Sequence, residues 1–140
     1  MRILADTNRI IAALVKAGTT RNILFDENFE FVTPDYTITE IRQHEDELLK
    51  KTKLTKEEFE LLLALIFEHV TIIPLSEYED FIDQCKNDIS DPDDIPHLAA
   101  CLASNAYGIW AHDQHFLEQR KAKVLTNIDM LRLSGKAKSD

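Results

Sequence analysis

Arg2-Ile3-Leu4-Ala5-Asp6-Thr7-Asn8 is the stretch on which the fold turns. A short apolar run that stops on a carboxylate reads as a buried strand with Asp6 at its carboxyl end. Beyond it Ile10, Ile11, Leu14 and Val15 recur at helical spacing up to Gly18, a helix stop. Ile23, Leu24 and Phe25 suggest a second short helix, and Phe29 to Val32 a strand closed by Thr33-Pro34. The same alternation then continues. A helix is expected from about Thr37 to Lys51, another from Thr55 to His69, and a strand from Val70 to Ile73 ended by Pro74. Ser76 opens a helix burying Phe81, Ile82 and Cys85, and Pro92 opens one with Leu98, Ala99, Leu102 and Ala103 inward. Ile109-Trp110-Ala111 and Lys123 to Leu125 read as strands, and Ile128 to Leu133 as a closing helix. Strands alternating with helices predict the α/β class, a single α/β/α domain whose central parallel sheet is flanked by helices. Such sheets place ligands beyond the carboxyl ends of their strands.

The chain has 140 residues, the size of one domain, read as 1–140 with 136–140 a frayed tail. Hydrophobic residues at 44% and charged residues at 29% exclude a wholly disordered chain. The longest apolar run, Leu61 to Phe67, is far short of the roughly 20 residues of a membrane span. No secretory leader can be drawn over MRILADTN, and two cysteines, Cys85 and Cys101, make no disulfide framework. The expectation is a reduced, cytoplasmic compartment. Net charge is -9, unevenly spread: Glu57 to Glu118 holds one basic residue against fourteen acidic, and Gln119 to Asp140 six basic against two acidic. Phosphate contacts come from Lys and Arg, so the acidic total argues against a general polyanion binder. Local basic clusters remain at Lys50-Lys51-Lys53-Lys56 and from Arg120 through Lys121 and Lys123 to the C-terminus. With three glycines in all and no glycine-rich phosphate loop, a P-loop is excluded.

Four acids stand where such a sheet would gather them. Asp6 and Asp113 follow strands, Glu40 lies in the first turn of the helix after the second strand, and Asp93 and Asp94 open the helix at Pro92. Each has a plain structural explanation. Thr37 and Glu40 have capping-box spacing, as do Thr55 with Glu58 and Ser76 with Glu79; the last two pairs are taken as purely structural. Asp91 is a good N-cap, with Asp93 and Asp94 favoured by the helix dipole, and Asp6 and Asp113 could cap helices. Together they read differently, because strand ends and first turns of following helices share one edge of a parallel sheet. Two carboxylates 4 Å apart repel by about 4 kcal/mol at an effective dielectric of 20. Asp6, Glu40, Asp94 and Asp113 stay ionised together only with cations between them, and all-oxygen ligation points to Mg²⁺ or Mn²⁺. Such centres hydrolyse phosphodiesters.

Four stretches carry a family resemblance: Leu4-Ala5-Asp6-Thr7-Asn8, Pro34 to Ile41 around Glu40, Asp91-Pro92-Asp93-Asp94-Ile95-Pro96-His97-Leu98-Ala99, and Ile109 to Phe116 around Asp113. In this order and spacing the chain resembles the PIN-domain nucleases, which include the VapC-type toxins. The resemblance implies a PIN-like fold, a centre of Asp6, Glu40, Asp94 and Asp113 holding Mg²⁺ or Mn²⁺, and cleavage of single-stranded RNA. Asp94 is preferred to Asp93 because Ala99 follows it by five residues, as in the family's pattern. Thr7, Asn8 and Asp93 would support the ligands from behind, and Arg9, Arg120, Lys121 and Lys123 would hold the RNA backbone. A homodimer and an antitoxin partner are further implications, with no membrane association. One departure is Ala111, where many members carry Ser or Thr; it keeps open a PIN-like module that binds RNA or protein without cutting. Glu40 with His44 and Asp94 with His97 share helix faces, but without H-E-x-x-H or a cysteine pair they are not read as zinc ligands. His112 and His115 flank Asp113 and receive no role.

Overall fold

The computed structural model describes residues 1–112 and 114–135. The tail expected over 136–140 lies outside them. Five strands, β1 (Arg2–Ala5), β2 (Glu30–Pro34), β3 (Val70–Ile73), β4 (Ile109–Trp110) and β5 (Val124–Leu125), form one parallel sheet in the order β3-β2-β1-β4-β5. The helices are α1 (Thr7–Val15), α2 (Thr19–Leu24), α3 (Tyr36–Gln43), α4 (Glu45–Thr52), α5 (Lys56–Phe67), α6 (Leu75–Cys85), α7 (Ile95–Ala103) and α8 (Asn127–Leu133). The α/β/α expectation holds.

Alternation along the strands sorts the core into two. Ile3, Ala5, Phe31, Trp110 and Leu125 face one layer, built with α1, α2, α4, α5 and α8. Leu4, Val32, Ile109 and Ala111 face the other, built with α6 and α7. Period-two side-chain direction explains why adjacent residues of β1 belong to different cores. At the amino end of the sheet β4 and β5 approach closely. A Cβ at Gly108 would lie 2.8 Å from the Lys123 carbonyl and 3.0 Å from Leu125 Cδ1.

Several boundaries differ from expectation. Pro34 is the last residue of β2 rather than its stop: only its own N–H is lost, and Asp35 resumes the pairing by donating to the Ile73 carbonyl at 2.9 Å. The long helix after β2 is two helices broken at His44 (φ −103°, ψ 10°), because Glu45, Asp46 and Glu47 favour a new N-terminus there. Ser76 and Glu79 form no capping box. Helix α6 starts at Leu75, whose N–H donates to Asp35 Oδ2 at 3.0 Å, so a distant carboxylate caps it. Phe81 and Ile82 are partly buried against this layer, Cys85 is buried as expected, and Tyr78 is a buried aromatic that the expectation did not include. Pro92 opens a short 3₁₀ turn, Pro92–Asp94, before α7 begins. Thr55 with Glu58 is a capping box as read, and Thr126 with Asp129 is one the sequence reading did not name.

Candidate metal centre

The chain runs outward from β1 through β2 to β3, then returns to the other side of β1 for β4 and β5. The switch point is therefore the gap between the carboxyl ends of β1 and β4, where open α/β sheets bind ligands. Asp6 follows β1 directly, is 3% exposed, and sits at the N-cap position of α1 without a side-chain cap bond. Its carboxylate is thus turned to something other than helix capping.

Around it lies a buried polar chain. Thr33 on β2 donates its hydroxyl to the Ala5 carbonyl at 2.9 Å and contacts Thr37 on α3 at 2.7 Å. Thr37 contacts Thr7 at 3.1 Å, and Thr7 donates to Glu40 Oε1 at 2.6 Å. Thr37 and Glu40 are therefore no capping box; their side chains turn inward, and Asp35 occupies the cap position of α3. At the centre stands His97 of α7, 1% exposed. Its Nε2 is 3.0 Å from Glu40 Oε1, 3.2 Å from Thr7 Oγ1 and 3.7 Å from Asp6 Oδ1. Burial pushes the imidazole pKa down, but the Glu40 hydrogen bond and the charges of Asp6, Glu40 and Asp94 outweigh it and hold it above the ordinary value. Two of the four expected acids, Asp6 and Glu40, thus meet at one histidine, and Asp94 is near enough to act on its charge.

Asp94, 6% exposed, ends the 3₁₀ turn before α7. His115 Nδ1 lies 3.5 Å from its Oδ2 and 3.8 Å from Asp91 Oδ2. One ligand atom each of Asp91, Asp94 and His115 falls within 4.8 Å of the others. Asp91 also caps the turn as expected, accepting from the Asp93 N–H at 3.0 Å. Asp113 lies outside the described residues. Among the described residues the trio of acids and histidines within 4.8 Å of one another is Asp91, Asp94 and His115, while Asp6 and Glu40 meet at His97. The carboxylates of Asp6, Asp94 and Glu40 are hard oxygen donors of the type that suits Mg²⁺ or Mn²⁺.

The remaining candidates scatter. Asp93 is exposed and accepts from the Tyr36 hydroxyl at 2.5 Å, a bond that chiefly pushes the Tyr36 pKa up to about 12. Asn8 is exposed. Arg9 is half-buried, its Nη1 3.4 Å from Thr20 Oγ1 and 3.5 Å from Asn127 Oδ1; burial lowers its pKa against the opposing pull of Asp6. Arg120, Lys121 and Lys123 precede β5, at the sheet end away from Asp6. Lys121 pairs with Asp88 at 2.7 Å, and Lys123 donates to the Tyr107 hydroxyl at 3.0 Å while lying over its ring. His44 is exposed beside Glu47. His97 and His115 are what sequence reasoning passed over. A histidine three residues after Asp94, directly before the apolar Leu98-Ala99-Ala100 run, was the available signal for the first.

The fold is that of an open parallel α/β domain, with buried carboxylates at the switch point where such sheets bind ligands. A profile of the PIN domain matches residues 4–129, and the chain belongs to the PIN-domain family. This is a nuclease family whose members are typically metal-dependent. A search of curated proteins finds no match. Among the described residues no helix is long and apolar enough to cross a membrane.

Proposed function

We propose that this chain is a divalent-metal-dependent endoribonuclease acting on single-stranded RNA, a toxin-type activity in families of this kind. The observation that carries the reading is the meeting of Asp6 and Glu40 at buried His97 at the switch point, with Asp94 buried at the start of α7. Asp6 and Asp94 would hold Mg²⁺ or Mn²⁺ with Glu40, and Asp113 joins them on the family resemblance. When bound, such an ion lowers the pKa of a water and neutralises charge on a phosphoryl oxygen. The protein's own residues do the rest. Asp6 and Asp94 have side chains 4% and 9% exposed, against 20% for Glu40, so of these three Glu40 is the most open to incoming water and RNA. Arg9, half-buried beside Asp6, is the basic side chain of this end of the sheet placed to meet a phosphate.

The test is cleavage of a mixed single-stranded RNA pool with Mg²⁺ or Mn²⁺, comparing wild type with Asp94→Asn. Metal-dependent cutting that the substitution abolishes supports the assignment; cutting that survives it overturns the role of Asp94. A second reading, an RNA- or protein-binding module that does not cut, is favoured by Ala111, which is 2% exposed and has no hydroxyl to present at the end of β4. It expects weak or absent Mn²⁺ binding.

A further inference from the structure

Glu40 Oε1 receives two contacts from donors, Thr7 Oγ1 at 2.6 Å and His97 Nε2 at 3.0 Å. A carboxylate oxygen offers two lone pairs, so these two donors occupy it. An ionised carboxylate cannot donate, which requires the proton of this contact to sit on Nε2. The opposite nitrogen agrees: Nδ1 is buried with no hydrogen-bond partner among the described residues. In the neutral ring a proton on Nδ1 would be an orphan donor, whereas Nε2–H has an acceptor, and in the charged ring Nε2 carries a proton as well. The ring is also held in place. Phe116 meets it edge-on with centroids 6.4 Å apart, and Leu98 and Ala99, its neighbours on α7, are fully buried.

We propose that His97 is a positioning residue for Glu40. With Thr7 it clamps Oε1, so that the carboxylate offers its other oxygen, Oε2, to an ion or a water in one fixed orientation. This rests on the reading of the centre as a metal site. Partners of this kind behind a ligand set its orientation, and removing them typically costs about 10–100-fold in metal affinity.

Mn²⁺ titration of the metal-free protein by calorimetry tests the clamp without any need for cleavage. His97→Phe keeps the ring volume and removes the donor; Mn²⁺ affinity is expected to fall at least about tenfold. His97→Gln restores an N–H donor and should recover most of that loss. In a Glu40→Gln background, His97→Phe should have little further effect, because the clamp acts through Glu40. A His97→Phe variant that binds as wild type does, or a loss that persists undiminished in the Glu40→Gln background, overturns the proposal. Imidazole ¹⁵N NMR of the wild-type chain serves where a variant does not fold. A proton on His97 Nε2 is expected, and a bare Nε2 removes the clamp outright. A wild-type chain that binds no Mn²⁺ would instead sink the metal-site reading, and the NMR result would still judge the contact with Glu40.

Discussion

Glu40 and Arg42 stand two residues apart on α3 and belong to polar clusters of opposite character. Glu40 turns inward to Thr7 and His97, in a group whose histidine is 1% exposed. Arg42 turns outward to Glu45 and to Glu60, 2.5 Å away, while Lys56 meets Glu45 at 2.7 Å. The outer cluster has short distances and balanced charge, yet solvent competes for each of its bonds, so it contributes little to stability. The inner cluster has an excess of carboxylates. Burial there makes each bond costly to lose, and the charge imbalance calls for a cation.

The largest expected difference is functional. Asp6→Asn should reduce metal-dependent RNA cleavage by at least about a hundredfold, in the range of losing one essential electrostatic group, with the circular dichroism spectrum unchanged. Glu60→Gln should cut at the wild-type rate; equal losses in the two variants would erase the distinction between the clusters. Next comes stability. Thr37→Val deletes a hydroxyl inside the inner chain and leaves Thr7 and Thr33 to re-pair, which should cost about 1–3 kcal/mol in chemical denaturation. An unchanged midpoint would mean that the buried chain is dispensable.

The outer cluster should respond to pH and salt. Arg42 holds the Glu60 carboxyl below its ordinary value, and Lys56 with Arg42 does the same for Glu45. A carboxyl whose folded pKa is depressed adds stability above its unfolded pKa, which is lost as pH falls through the folded one. The small melting-temperature difference between wild type and Glu60→Gln should therefore be present at pH 7 and vanish as pH falls below the ordinary glutamate pKa of about 4.5. High salt should shrink it at pH 7 as well. The faintest signal is expected from the thiols. Burial pushes Cys101 up to about 12 and raises Cys85, so a thiol reagent at pH 8 should label neither in the folded chain and both in urea. Rapid native labelling would show that the α6–α7 layer opens readily.

Much of this was legible in the sequence because it is local. The alternation of Ile3, Leu4 and Ala5 and the helical spacing after Asp6 are patterns of a few residues, and they define β1 and α1 without outside help. Asp91 as a cap and the Thr55–Glu58 box depend on neighbours three residues away or fewer. The same local rules misread Thr37–Glu40 and Ser76–Glu79, since a capping box and an inward-facing threonine share one spelling. Tertiary neighbours decided those cases: Asp35 reaches Leu75 across 40 positions and takes over the cap of α6.

What the sequence determined by itself, then, is the α/β alternation and the acids that end its strands and open its helices. Each follows from periodicity and turn chemistry acting over one or two turns of chain. Only the tertiary structure decided that β1 lies between β2 and β4, and hence which of those acids meet. His97 belongs to this second kind. It is 57 positions from Glu40 and 90 from Thr7, and its apolar neighbours in sequence suggest nothing but packing. Burial removes water as a competitor, so the partners of a buried imidazole are set by whichever side chains the strand order brings to it.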